Sequence, residues 1–177
     1  MKELSLNILD ITENSVKAGA SLTQILIDET DEILRITISD DGCGMNEDTV
    51  QSVIDPFYTT RTTRKVGLGI PLLKLAAEQT DGTLKINSST DKDNHGTTVE
   101  AVFNKEHIDF TPLGDVTSTV VTLIQGHPDT DFRFEHRING KVVSLDTREL
   151  RAVLDGVPLN TYEVIKWIEA ALTEQYE

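Results

Sequence analysis

Residues 10–20, DITENSVKAGA, carry the strongest structural signal in this chain. Apolar residues recur at helical spacing from residue 4 to residue 18, which predicts a helix over this segment. At about 100° per residue, Asp10, Asn14 and Lys17 lie within about 60° of one another on that helix. A carboxylate that orients water, an amide oxygen that binds Mg²⁺ and an ammonium that meets a phosphate would suit a phosphate site. The alternative is a solvated helix face with polar pairs at i, i+4.

A second signal is the run DDGCG at residues 40–44, which follows a strand predicted over residues 33–40. The strand alternates apolar and polar residues, so one of its faces is expected to be buried. Asp40 at its end can accept a hydrogen bond from an exocyclic amine such as that of adenine. Gly42 and Gly44 would let the backbone approach a flat ligand closely. An ordinary Asp-Gly turn is the alternative interpretation.

Two more glycine-containing segments complete the pattern. Gly67-Leu68-Gly69 begins a helix predicted to run to residue 80, and a helix N-terminus with free N–H groups attracts anions. Gly96-Thr97-Thr98 introduces a strand predicted over residues 97–103. Residues 55–66 have no clear period and are predicted to form a lid. Neither a Walker lysine-serine pair nor a longer dinucleotide fingerprint is present, so P-loop and Rossmann chemistry are not indicated.

Taken in order, these segments resemble the motifs of the GHKL superfamily, which groups gyrase, heat-shock chaperone ATPases, histidine kinases and MutL. Residues 10–20 resemble its N-box, and residues 40–44 resemble its first glycine box. The run DPFYTT at residues 55–60, followed by GLGI at residues 67–70, is similar to the phenylalanine box and second glycine box of histidine kinases. Residues 96–98 resemble the closing glycine box.

The resemblance covers residues 1–104 and implies a Bergerat-type ATP-binding fold, an α/β two-layer sandwich with helices on one face of a mixed sheet. It implies that Asn14 ligands Mg²⁺ and that Asp40 reads the adenine amine. Asp10 stands where the superfamily ATPases carry a water-activating glutamate. Lys17 stands where histidine kinases usually carry a phosphate-binding lysine and MutL-like ATPases an aspartate. The nucleotide contacts implied are Asn14, Asp40, Gly42, Gly44, Thr59, Thr60, Arg61, Lys65, Gly67, Leu68, Gly69 and Thr97.

Composition narrows the classes of partner. The formal net charge is −14 over 177 residues, which repels nucleic acid and anionic membranes, so neither is expected as a partner. Because the chain has one cysteine, Cys43, an intrachain disulfide is excluded. Cys43 is interpreted as a small packing residue. The four histidines are interpreted as structural or solvated, and Glu13 as peripheral to the site. The N-terminus is not a secretory signal, so we expect a soluble cytoplasmic protein.

The sequence changes character at residues 105–114, which are predicted to be a linker before a small α+β domain at residues 115–177. This region is predicted to contain helices and a hairpin turning at Asn139-Gly140. It is expected to bind a protein partner. Its apolar residues could form a core or a docking surface, and they are Leu150, Val153, Leu154, Val164, Ile165, Trp167 and Ile168.

Together these features predict an Mg·ATP-binding protein. The leading hypothesis is a stand-alone histidine-kinase-like domain that transfers the γ-phosphoryl group to a partner protein, with Asp10 and Lys17 in catalytic roles. One alternative is an ATP-hydrolysing conformational switch in which nucleotide orders the lid. Another is a module that binds ATP as a sensory ligand without turnover. The sequence leaves all three open.

Overall fold

The structure is a computed structural model that describes residues 3–55 and 68–177. Within these ranges the chain forms six helices and six strands, and none of the helices is long and apolar enough to span a bilayer. In chain order the elements are α1 (Leu4–Lys17), β1 (Leu22–Glu29), β2 (Ile33–Asp40), α2 (Glu47–Ile54), α3 (Gly69–Glu78), β3 (Thr83–Asp91), β4 (Asn94–Asn104), α4 (Val116–Gly126), β5 (Asp131–Ile138), β6 (Lys141–Asp146), α5 (Thr147–Leu154) and α6 (Tyr162–Tyr176).

All six strands belong to one mixed sheet with the order β3-β4-β2-β1-β5-β6. β1 and β5 run parallel, with Leu22 opposite Asp131 and Glu29 opposite Ile138, and every other neighbouring pair is antiparallel. The C-terminal hairpin therefore extends the sheet that the N-terminal strands begin. The predicted linker at residues 105–114 interrupts neither this sheet nor the hydrophobic core, which contains side chains from both sides of it.

The two faces of the sheet differ in burial. In β2, Leu34, Ile36 and Ile38 are buried, whereas the alternate residues Arg35 and Thr37 are exposed or half-buried. The buried face packs against α1, α3, α4 and α6, whose apolar residues join the same core cluster. This alternation gives a helical layer over one sheet face, which is the two-layer α/β architecture expected from the sequence.

The start of α1 depends on the segment predicted as a linker. Glu3 at the N-cap makes no side-chain capping bond to the helix. Instead, the N–H groups of Leu4 and Ser5 donate to the carbonyl oxygens of Pro112 (2.9 Å) and Leu113 (2.8 Å). Because the first N–H groups of a helix have no partner within it, these two bonds satisfy donors that would otherwise be unpaired.

A polar cluster fastens α6 to the sheet. His136 on β5 is buried, and its Nε2–H donates to Glu29 (2.8 Å) while its Nδ1 accepts from the hydroxyl of Tyr176 (2.8 Å). Burial lowers the pKa of His136 and so favours the neutral ring. Burial would raise the pKa of Glu29, but hydrogen bonds from Lys105 and His136 bring it below its ordinary value. Burial also raises the pKa of Tyr176 to about 12.

Most of the predicted elements are confirmed. Asn46 caps α2 by accepting a hydrogen bond from the N–H of Thr49 (2.8 Å). Asn139 and Gly140 form the predicted hairpin turn, with φ angles of +47° and +90°. The strand predicted over residues 97–103 begins earlier in the structure, because Asp91 of β3 pairs with Asn94 of β4 and the two strands continue almost to their turn. The end of this hairpin extends beyond the core, so polar residues can continue the two strands there through backbone hydrogen bonds alone.

Candidate functional site

A cleft of about 460 Å³ opens between α1, α2, the residues after β2 and the start of β4. This volume lies in the range of small-molecule sites in proteins. The wall is part apolar and part polar, and Ile11, Ile38, Val53, Ile70 and Val99 contribute its apolar side chains. Residues that the sequence pointed to also line it, namely Asn14, Lys17, Asp40, Gly44 and Thr97.

One wall of the cleft is the C-terminal half of α1. Asn14 is half-buried and Lys17 is exposed, so an amide oxygen and an ammonium face the same opening. Glu13 instead binds the ring of His127 (2.8 Å), as expected for a peripheral residue. Asp10 is exposed and does not line the cleft, but it lies against the start of α3, where a Cβ added to Gly69 would be 3.0 Å from its Cβ.

Asp40 is held as an acceptor at the end of β2. One carboxylate oxygen accepts from the Ser15 hydroxyl (2.7 Å) and the other from the Gly42 N–H (2.9 Å). Both bonds come from donors in the protein, and an ionised carboxylate can still accept further hydrogen bonds. The remaining lone pairs of Asp40 therefore suit a ligand group that donates a hydrogen bond, such as an amine.

Two glycines of the site are required by close backbone approach. Gly44 has φ +76°, and a Cβ there would lie 1.8 Å from the carbonyl oxygen of Ser89. Gly96 has φ +143°, and a Cβ there would lie 2.1 Å from the carbonyl oxygen of Asp40. No side chain fits at either position, so the glycines bring the loop after β2 against the β3–β4 hairpin and shape the cleft floor.

The loop after β2 is also fastened from outside the cleft. Burial would raise the pKa of Asp41, but the Ser21 hydroxyl and the N–H groups of Leu22 and Ser21 bring it below its ordinary value. Nδ1 of His95 lies 2.6 Å from the carbonyl oxygen of Gly42 and donates to it. These bonds tie the loop to β1 and β4, so Asp40 and Gly44 sit on a rigid frame.

Comparison with known proteins identifies the fold family. The profile described as "Histidine kinase-, DNA gyrase B-, and HSP90-like ATPase" matches residues 2–107. The chain belongs to this family. Its relatives among these ATPases include the sensor histidine kinase YvrG of Bacillus subtilis, which is 29% identical over 99 residues that cover 52% of this chain and 17% of the relative. They also include the DNA mismatch repair protein MutL of Listeria monocytogenes, 26% identical over 192 residues that cover 86% of this chain and 31% of the relative.

Two solved structures have a similar fold. The Aquifex aeolicus MutL ATPase domain complexed with ADP matches with a TM-score of 0.50 at 13% identity, covering 88% of this chain and 70% of that one. The N-terminal domain of a DNA repair protein matches with a TM-score of 0.52 at 18% identity, covering 82% and 53%. This ATPase-family chain spans only 17% and 31% of the length of the kinase and repair relatives described above.

Several site predictions for this ATPase-family chain lie outside the cleft lining. Leu68 is exposed and, with Gly69, begins α3 beside the cleft, while Gly42 supports Asp40 from behind. The interpretation of Cys43 as a packing residue is wrong, because it is exposed and lines the cleft. A further group falls outside the described residues: Thr59, Thr60, Arg61, Lys65 and Gly67.

Further residues reach the cleft only through the tertiary structure and were not predicted from the sequence. Ser15 is buried and orients Asp40 across 25 positions of the chain. Thr49 and Thr90 also line the cleft, from α2 and from the end of β3. The position of Ser15 beside Asn14 was a usable signal, since a hydroxyl on the buried side of an amphipathic helix needs a partner.

Proposed function

We propose that this chain binds Mg·ATP in the cleft and transfers the γ-phosphoryl group to a partner protein. The single observation that carries the proposal is the convergence of Asn14, Lys17 and Asp40 on one cleft from two separate elements. Asp40 would accept from the exocyclic amine of adenine, and Lys17 would meet the phosphates at the other end. The fixed acceptor at Asp40 and the exposed ammonium at Lys17 match these two tasks.

The residues present also suit magnesium. Asn14 offers one amide oxygen, and in the described part of the chain no group of three His, Cys, Asp or Glu side chains could hold a metal ion alone. Mg²⁺ in nucleotide sites is commonly held by one or two protein oxygens together with substrate phosphates and water. Asn14 would therefore complete the shell of an ion that arrives with the nucleotide. Bound there, the ion would neutralise phosphate charge as the phosphoryl group leaves ADP.

The acceptor would lie on another protein. In this chain His136 is buried and both of its ring nitrogens are bonded, so it is not available to receive a phosphoryl group, and Nε2 of His127 is paired with Glu13. The similarity to histidine kinases supports a protein as the partner. The charge of −14 favours a partner with a basic surface and opposes nucleic acid and membranes, and we propose a cytoplasmic setting.

An ATP-hydrolysing conformational switch is the second candidate. The observation in its favour is coverage, because the mismatch repair relative aligns over 86% of this chain whereas the kinase YvrG aligns over 52%. Asp10 would then activate water near the start of α3. DNA enters as a possible partner through this candidate alone, because the relative is a DNA mismatch repair protein. Sensory ATP binding without turnover is the third outcome.

Calorimetric titration with ATP, with and without Mg²⁺, tests the binding step. We expect Asn14→Ala to remove the Mg²⁺-dependent part of the affinity and Asp40→Asn to weaken ATP relative to GTP. Asn87→Ala on the exposed side of β3 is the matched control and should bind as the wild type does. Unchanged ATP binding in both site variants would refute the assignment.

The fate of the γ-phosphate separates the three functions. With γ-labelled Mg·ATP, label on a partner protein supports phosphotransfer, released phosphate supports the switch, and intact bound ATP supports a sensory module. Asp10→Asn should slow phosphate release if Asp10 activates water, while leaving ATP affinity unchanged.

A further inference from the structure

A second cavity of about 380 Å³ lies among β5, β6, α5 and α6. Beside the buried Phe134 of β5, its apolar lining consists of four side chains from β6, α5 and α6, namely Leu145, Leu150, Trp167 and Ala171. Trp167 is 57% exposed, although Val164, Ile165 and Ile168 of the same helix are buried in the core. The outer side of α6 thus presents an aromatic ring that the core does not use. We refer to this cavity, lined by these four side chains and by Ser144 and Gln175, as the α6 groove.

The α6 groove follows the edge of the sheet at β6, which pairs with only one other strand among the residues that the structure describes. β6 is the terminal strand, and the N–H and carbonyl of Ser144 are bonded by a side chain instead of a strand. The amide oxygen of Gln175 accepts from the Ser144 N–H (2.9 Å), and its amide nitrogen donates to the Ser144 carbonyl (3.0 Å). A glutamine amide has the same donor and acceptor as a peptide group, so Gln175 occupies the place of one peptide unit of an added strand.

The charges around the α6 groove are unequally paired. Asp146 is paired with Arg148 (2.8 Å), and Glu135 is paired with Arg133 (3.0 Å). Glu149, which also lines the groove, forms no salt bridge within residues 3–55 and 68–177. A ligand that places a cation near Glu149 would complete this set. A second copy of the chain fits poorly, because each copy carries a net charge of −14.

We propose that the α6 groove binds an extended segment of a partner protein, which adds to β6 as a strand in place of the Gln175 side chain. One apolar side chain of that segment packs on Trp167 and Leu150, and a neighbouring Lys or Arg faces Glu149. Strand addition to an exposed edge supplies main-chain hydrogen bonds for affinity, and a side-chain pocket supplies specificity. This proposal stands apart from nucleotide binding, because the groove shares no lining residue with the nucleotide cleft.

Trp167 makes the proposal directly measurable, since it is the only tryptophan in the chain. The full chain, without nucleotide, is used to select binders from a phage library of random linear twelve-residue peptides. We expect the selected peptides to share an apolar residue flanked by Lys or Arg and, as synthetic peptides, to shift the Trp167 emission to shorter wavelength. A library that yields no such peptide, or peptides that leave the emission unchanged, would overturn the proposal.

Four variants then test the geometry with the strongest selected peptide. Trp167→Ala and Ser144→Pro should each weaken binding at least about tenfold, because one removes the apolar contact and the other the outward N–H that β5 does not use. Tyr162→Ala, an exposed aromatic of α6 outside the groove, should change nothing. Gln175→Ala should tighten binding about threefold or more, since the internal competitor is gone.

The Gln175 result distinguishes strand addition from ordinary surface adhesion, which would be indifferent to that side chain or weakened by its loss. Circular dichroism checks that each variant is folded. If Ser144→Pro fails to fold, Gln175→Ala and Trp167→Ala carry the test. Concentration-dependent dimers that vanish in Trp167→Ala, with no peptide binding, would assign the groove to a second copy and reject a partner peptide.

Discussion

The hydrogen bond between Tyr176 and His136 allows a sharp test of how the C-terminal helix is held. Tyr176→Phe keeps the ring, which stacks edge-on against His136 with centroids 5.6 Å apart, and removes only the hydroxyl. The buried Nδ1 of His136 then loses its donor, since its other nitrogen stays committed to Glu29. Leaving a buried acceptor unpaired costs about 1–3 kcal/mol. For a chain of this size that corresponds to a fall in Tm of roughly 2–4 °C for each kcal/mol.

The matched control is Tyr162→Phe in the same helix. Tyr162 is 73% exposed, so the same chemical change there should alter the free energy of unfolding by less than about 0.5 kcal/mol. Because both variants make the same substitution, their effects on the unfolded chain largely cancel. Urea unfolding followed by circular dichroism gives the free energy difference. Equal stabilities of the two variants would refute the claim that this buried bond holds α6 to the sheet.

Three further outcomes follow from other contacts. The pKa of His136 is lower in the folded protein than in the unfolded chain, so the contribution of His136 to stability should be complete above about pH 6.5 and be lost as the pH falls below it. The urea midpoint should therefore decrease at low pH, and an equally large decrease in His136→Gln would contradict this explanation. Gly44→Ala should prevent stable folding or lower the free energy of unfolding by about 3 kcal/mol or more. Gly19→Ala, which has a similar φ but open space around it, should lower it by only about 1 kcal/mol, and equal effects in thermal unfolding would rule out the steric explanation. The side chain of Asp115 caps α4 by accepting a hydrogen bond from the Ser118 N–H (3.0 Å), so Asp115→Ala should lower the free energy of unfolding by about 1 kcal/mol. An unchanged urea midpoint would show that this cap does not stabilise the fold.

The cleft beside α1 was largely predictable because its signals are local. The glycines at 42 and 44 follow a buried strand, and their chemistry can be read without knowing the partner segment. Asn14 and Lys17 share a helical face, which fixes their relative position whatever the helix packs against. Each sequence motif therefore predicted one segment of the cleft, and the order of the motifs along the chain indicated that these segments form one site.

The parts that escaped prediction depend on long-range contacts. The parallel pairing of β1 with β5 joins residues more than a hundred positions apart, and no local periodicity specifies it. The buried side of α1 indicates that the Ser15 hydroxyl needs a partner, but the helical pattern does not show that this partner is Asp40 at the end of β2. The apolar residues of α6 looked alike in sequence, yet the fold buries Val164 and exposes Trp167. Which helical face is covered depends on the neighbouring helix, and the sequence pattern alone does not define that neighbour.

The pairing of β1 with β5 has a consequence for any attempt to isolate the ATPase-like region. A polypeptide ending at residue 104 would make β1, Leu22–Glu29, an edge strand, because the backbone N–H and carbonyl groups that face β5 would be open to other chains. The fragment would also lack α4, which contacts α1, and the carbonyl groups of Pro112 and Leu113, which accept hydrogen bonds from the first turn of α1. Such a fragment should self-associate through β1, so an isolated form of the ATPase-like region should keep residues 105–177 as well.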